Sequence, residues 1–311
     1  MKLRATTFAA AAILAASAAF AEYPDKPVNF IVPWPPGDLE DQLTRLIADA
    51  VQESTGASAA VINKPGGGGG PFPGAIDTAL AAPDGYTIGS FVMDVPIVGP
   101  QIGIPELSPN PFEPIGSFLT YPFAIVAAGD APFKTLEELA EHSKSHDIAL
   151  GHFGEGLTPT LVTLALSNRM GITYSAQAAF DALDCNTIAS GDADVINSTL
   201  QLLLPCLDEL TVLAAFTPDR IPIAPDAPTL QELAPDLEIE LWNGLFVHKD
   251  VPAEARGVIA AIAKDTMMGE AAQAIAARTG AFVYWQDADE TTRRIEQDAE
   301  RLGVVESIAN Q

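Results

Sequence analysis

VNFIVPWPPGDLEDQLTRLIADAV (residues 28–51) runs from an apolar strand through a proline and glycine turn into a helix. VNFIV is short, β-branched and aromatic, and Pro33 ends it, as expected of a buried strand. After the turn, Leu39, Leu43, Leu46, Ile47, Ala50 and Val51 recur at the 3.6-residue period of one helix face. AAVIN (59–63) reads as a second strand, 76–81 as a helix, PDG (83–85) as a turn and YTIGSFVM (86–93) as a third strand. This alternation predicts an α/β fold: a mostly parallel sheet with helices on both faces.

The pattern continues beyond it. Residues 94–116, rich in Pro and Gly and without periodicity, read as an ordered surface excursion. FAIVAA (123–128), DIALGHF (147–153), DADVINST (192–199), LTVLAAF (210–216) and LWNGLFV (241–247) read as strands, with helices at 160–170, 254–278 and 288–302. Thr135 and Glu138 are spaced as a capping box. At 311 residues the chain exceeds what one hydrophobic core usually serves, so two domains are expected.

MKLRATTFAAAAILAASAAFA (1–21) has a basic start, an apolar stretch and a small-x-small end, the pattern of a cleavable export signal. The stretch is too short to span a bilayer, and no later segment holds the roughly 18 apolar residues a span needs. No Cys follows the cleavage site, so an exported, unanchored chain is expected. Losing Lys2 and Arg4 leaves 14 basic and 41 acidic residues, a formal charge of −27. Such a surface argues against nucleic acid and anionic membranes as partners. An exported compartment permits a disulfide between Cys185 and Cys206, worth about 3 kcal/mol in the chain-entropy picture, with two buried thiols as the alternative.

Three loops share one design, in which a strand ends, glycines turn the chain and a helix begins: PWPPGDLED (33–41), NKPGGGGGPFPGA (63–75) and GHFGEGLTPT (151–160). Glycine allows close backbone approach, and free N–H groups at a helix start can hold an anion without Lys or Arg. None is a Walker A or dinucleotide-binding sequence, and no cofactor is expected. No nucleophile motif appears either, so an exported lyase or isomerase using Asp38, Asp41 or His152 is only a remote alternative. His142 and His146, four apart, read as solvated side chains rather than a zinc pair, and no metal is expected. NST (197–199) fits a glycosylation sequon inside a strand and is discounted.

YPDKPVNFIVPWPPG (23–37) with Asp41 and Arg45, NKPGGGG (63–69), PDGYTI (83–88), GEG with Thr158, GDADV (191–195), DAPTLQEL (226–233) and WNGLFVHKDVP (242–252) stand in order along almost the whole mature chain. In this register the chain resembles the Bug-type periplasmic receptors of tripartite tricarboxylate transporters. The resemblance implies a type II Venus-flytrap fold with domain 1 at 22–121 and 240–311, domain 2 at 122–239 and the ligand cleft between them. It implies a monomer that closes on a small organic acid and delivers it to membrane transporter subunits; a sensor of the same fold is the alternative.

The ligand-binding set expected in domain 1 is Trp34, Pro35, Pro36, Gly37, Asp38 and Asp41, then Gly66, Gly67, Gly68, Gly69, Gly70 and Phe72, with Met93 and Asp94 after the third strand. Domain 2 contributes His152, Phe153, Gly154, Glu155, Gly156, Leu157 and Thr158, with Phe180, Asp181 and Asn197. Backbone N–H groups of the glycine loops would grip the ligand, and Trp34, Phe153, Phe180 and Trp242 would wall it. The chain departs from the family at Asp38, where glycine is usual, at Glu40, where Thr is usual, and at Leu157, where Ser or Thr is usual. The glycine loop is also two residues longer and carries Pro71, Phe72 and Pro73. Asp38 and Glu40 either cap their own helix, favoured by about 0.3–1 kcal/mol each, or face the cleft.

Overall fold

Apolar runs too short for helices pair into two sheets, and amphipathic helices cover them. The computed structural model describes residues 23–66, 70–237 and 239–310; the expected signal segment 1–21 and Gly67, Gly68 and Gly69 lie outside them. The strands are β1 (Val28–Val32), β2 (Ala59–Asn63), β3 (Thr87–Val92), β4 (Phe112–Thr120), β5 (Phe123–Ala128), β6 (Ala149–His152), β7 (Ala176–Ala179), β8 (Val195–Thr199), β9 (Leu210–Ala215), β10 (Trp242–His248) and β11 (Phe282–Asp287). The helices are α1 (Leu39–Thr55), α2 (Phe72–Ala79), α3 (Asp94–Ile97), α4 (Leu136–His142), α5 (Thr158–Met170), α6 (Cys185–Ala189), α7 (Leu200–Leu203), α8 (Leu230–Leu233), α9 (Ala253–Met267), α10 (Glu270–Thr279) and α11 (Ala288–Ala309).

Helix α1 shows why the sequence folds as it does. Leu39, Leu43, Ile47 and Val51 are all buried against the sheet, each worth about 1.5–3 kcal/mol. Buried Thr44 ties the helix to β3 by donating to the Ser90 hydroxyl at 2.8 Å. Gly56 ends the helix at φ +76°, a conformation that costs glycine nothing.

One sheet has the order β11-β4-β10-β3-β1-β2 and the other β7-β6-β8-β5-β9. The chain leaves the first sheet through Tyr121 and Pro122 and returns between β9 and β10. Both sheets are mixed, not mostly parallel as expected. Strand β1 pairs in parallel with β2 and β3, and β6 with β7 and β8, because helical crossovers join them. The strand following each crossing, β5 or β10, enters from the opposite end and pairs antiparallel with both neighbours.

Of the segment 94–116 only the middle, 100–110, is largely at the surface, and its two ends are not. Helix α3 is buried, and β4, already under way at Phe112, lies inside the sheet between β10 and β11. Pro114 and Gly116 hide its alternation, and the β4–β10 register shifts beside them. Strand β7 is an exposed AQAA edge without an apolar signal. The expected helix 254–278 is two helices parted at Met268 and Gly269. Thr135 does cap α4, accepting from the Glu138 N–H at 3.2 Å, but Glu138 reaches the Lys134 N–H instead of closing the box.

Candidate functional site

The helix starts of α1 and α5 face one another between the sheets, and the cleft lies between them. The first loop and the start of α1 supply Trp34, Asp38, Leu39 and Glu40; the end of β3 supplies Val92, Met93 and Asp94; the turn after β6 and the start of α5 supply Phe153, Leu157 and Pro159. Tyr121 and Phe123 at the first crossing, Leu241 and Trp242 at the second, and Thr199 and Leu202 after β8 close the walls. The void measures about 540 Å³ when the open solvent at its mouth is counted. Among the described residues no Lys, Arg or His lines it.

The two lips touch. Asp94 Oδ1 accepts from the Thr158 backbone N–H at 2.7 Å and from its hydroxyl at 2.8 Å. Asp94 therefore occupies the anion-accepting start of α5. Gln201 Nε2 donates to the Gly37 carbonyl at 3.3 Å. Trp34 and Phe153 meet edge to face at 5.6 Å, and Phe123 and Phe153 at 5.9 Å. A Cβ added at Gly70 would stand 3.3 Å from Leu157, so glycine lets the second loop come close to domain 2.

Three acids on the first turn of α1 meet different fates. Asp41 turns away from the cleft. It takes Arg45 through both oxygens at 3.0 and 2.8 Å, accepts from the Gly37 N–H at 2.8 Å and from Asn63 Nδ2 at 2.8 Å. Burial pushes its carboxyl up, but Arg45, Gly37 and Asn63 together hold it below its ordinary value. Asp38 occupies the N-cap position without a side-chain cap bond, and it is 9% exposed on the cleft wall. Burial, then the charge of Asp41, pushes its carboxyl up to about 7. Glu40, 4% exposed, is raised well above its ordinary value by burial and then by Asp38, with the Tyr121 hydroxyl beside it pulling back. Burial also raises Asp94 to about 6, against the Thr158 donors. Asp38 and Glu40 thus face the cleft; they are not simple caps.

Of the expected site residues, Trp34, Asp38, Met93, Asp94, Phe153 and Leu157 line the cleft, and Thr158 reaches it through Asp94. Pro35, Pro36, Phe72, Phe180 and Asp181 do not line it, nor does Gly66, which folds onto Gly70. Gly37 serves the turn, at φ +98°. Asn197 is buried beneath α5, donating to the Pro159 carbonyl and the Thr163 hydroxyl, so it positions the helix. His152 and Glu155 border a separate surface depression with Tyr174 and Gln177; burial lowers the His152 imidazole. Gly154 accepts from Thr160 through its carbonyl, and Gly156 sits in open space. Cys185 and Cys206 are bonded as a disulfide. His142 and His146 stack at 3.9 Å on the surface, and the described residues hold no group of three potential metal ligands.

Tyr121, Phe123, Thr199, Leu202 and Leu241 are wall residues that no local sequence pattern marks. They sit where the chain crosses between sheets or just after a strand, and only a crossing strand tucked between two sheets brings them together. Tyr121 followed by Pro122 is the one local hint of such a crossing.

The tripartite tricarboxylate transporter family receptor profile matches residues 43–309. A protein of Agrobacterium vitis, named for the TAR-I ttuE-ttuC' intergenic region, is 29% identical over 246 residues, covering 75% of this chain and 69% of that one. The structure of the periplasmic binding protein BugD superposes with a TM-score of 0.82 at 24% identity, covering 93% of this chain and 99% of that one. An R. palustris protein with adipate superposes at 0.81 with 21% identity, covering 93% and 98%. These likenesses give the two-domain fold of periplasmic binding proteins. Among the described residues no helix is long and apolar enough to cross a membrane.

Proposed function

The chain belongs to the tripartite tricarboxylate transporter receptor family, and on that premise we propose that it is a periplasmic receptor closing on one small organic solute for delivery to the membrane subunits of such a transporter. One domain comprises 22–121 with 240–311 and the other 122–239, hinged at the two crossings. The observation that carries this reading is the pairing of Asp94 with Thr158 across an aromatic-walled void. Contacts made only when both lips meet favour the closed state, and a ligand touching both lips shifts the population further that way. Adipate in a structural neighbour supports a compact ligand of a few carbons. Any acid group on the ligand would rest on backbone N–H groups, since among the described residues no basic side chain lines the walls.

Small-angle scattering and thermal unfolding of the exported chain, with and without candidate solutes, test this. A bound solute at 100 times its dissociation constant should stabilise by about 2.7 kcal/mol and reduce the radius of gyration of any open population. Solutes that are chemically changed on incubation would instead make the protein an enzyme.

A further inference from the structure

Asp38, Glu40 and Asp94 converge on a cleft whose remaining surface is largely aromatic and aliphatic. Burying several carboxylates in such a wall is costly in their charged form unless an opposite charge meets them. Among the described residues their neighbours offer none. Arg45 is committed to Asp41 and Asn63, and Asp41 itself turns away. Tyr121 is the remaining titratable group facing Glu40, and its hydroxyl is raised by the same burial and by Glu40.

We infer, resting on the receptor reading above, that the solute carries an organic ammonium centre held between Asp38 and Glu40 and faced by the rings of Trp34, Tyr121, Phe123 and Trp242. Two features beyond the acidic cluster point there. Asp38 is nine-tenths buried on the wall and its carboxylate makes no cap bond. The Trp34 indole N–H is also buried on the wall, without a partner; it would donate to an oxygen on the same solute. Aromatic faces attract an alkylated ammonium, and a desolvated site strengthens that attraction. Asp94 already fills the start of α5, where a ligand anion would otherwise sit. A metal ion is the poorer occupant, because the described acids do not gather as a coordinating group.

The test is calorimetric titration of the exported chain at pH 8 with choline, glycine betaine and n-butylammonium, against 3,3-dimethylbutan-1-ol (the uncharged shape of choline), succinate and adipate. At least one ammonium compound should bind ten times more tightly than the uncharged control; betaine over choline would add an acid group to the solute, and the reverse would exclude one. Asp38→Asn should weaken that binding at least tenfold while leaving unliganded Tm unchanged or higher, because a buried charge is removed. Glu40→Gln, read by the same titration, serves if Asp38→Asn does not fold. Silent ammonium compounds, equal binding of the uncharged control, or unchanged affinity in both variants would overturn the inference. Succinate or adipate binding alone would overturn it while sparing the receptor reading; a cleft that binds no compound of either class counts against both.

Discussion

The lips at α1 and α5 have the same design, a strand, a glycine turn and a helix start, yet they satisfy that start differently. At α1 the acids belong to the helix itself: Asp41 closes the turn onto Gly37, and Asp38 and Glu40 are left facing the cleft. At α5 the acid comes from across the cleft, where Asp94 takes both donors of Thr158. In the proposed receptor, one lip would thus be self-sufficient with the cleft open, whereas the other would have its carboxylate partner only with the cleft closed. A helix start can be a structural joint or a conformational contact, depending on which chain segment supplies the anion.

Asp41→Ala should upset this contrast most. It strips Arg45, Asn63 and the Gly37 N–H of one shared acceptor, and should cost about 3 kcal/mol in urea unfolding. A loss under about 1 kcal/mol would mean the first lip does not hold itself. Serine at both Cys185 and Cys206 should cost a similar amount, about 3 kcal/mol, by freeing a 21-residue separation in the unfolded chain; because the bridge belongs to neither lip, solute affinity should be spared. Thr158→Val removes only the hydroxyl donor to Asp94. It should leave stability within about 1 kcal/mol but shift scattering toward the open form and weaken solute binding by several-fold. Equal loss of stability and affinity would make Thr158 a core residue rather than a closing contact.

The pH response of the two lips is subtler. Asp38 and Asp94 have folded values raised to about 7 and about 6, so the folded state holds these protons more tightly than the unfolded chain does. Unliganded stability from these two should therefore fall as pH rises from about 4 to about 7 and then level off, each tenfold gain in proton affinity on folding being worth about 1.4 kcal/mol. Asp41 is lowered and acts in the opposite sense, its contribution lost as pH falls below the ordinary carboxylate range. Thermal unfolding of wild type and Asp38→Asn between pH 5 and 8 separates them, because the variant should lose part of the decline. A cationic solute reverses the slope, binding more tightly as pH rises toward 7; an affinity that weakens over that interval would point to an anion.

Much of the scaffold was legible. β1, β2 and β5 match their apolar runs residue for residue, and the face of α1 follows its 3.6-residue period. β4 was not, because Pro114 and Gly116 break its alternation, and β7 was not, because AQAA carries no apolar signal. Of the site, the first loop and the start of α5 were visible as glycine turns. His152 was misplaced by sequence proximity: it ends β6 and borders the separate depression, whereas Phe153, in the turn just beyond the strand, lines the cleft.

Sequence alone dictated where most strands and helices form, since periodicity and turn chemistry act within a few residues. It also carried the family resemblance and the unusual acids at 38 and 40. Where those acids point was decided only in the tertiary structure. Local capping is worth about 1 kcal/mol or less and could have turned any of the three inward or outward. Asn63 from β2 and Arg45 one helical turn along claim Asp41. That leaves Asp38 and Glu40 buried in a wall assembled from Tyr121, Asp94 and Trp242, residues far apart in the chain that meet only because it crosses twice between sheets.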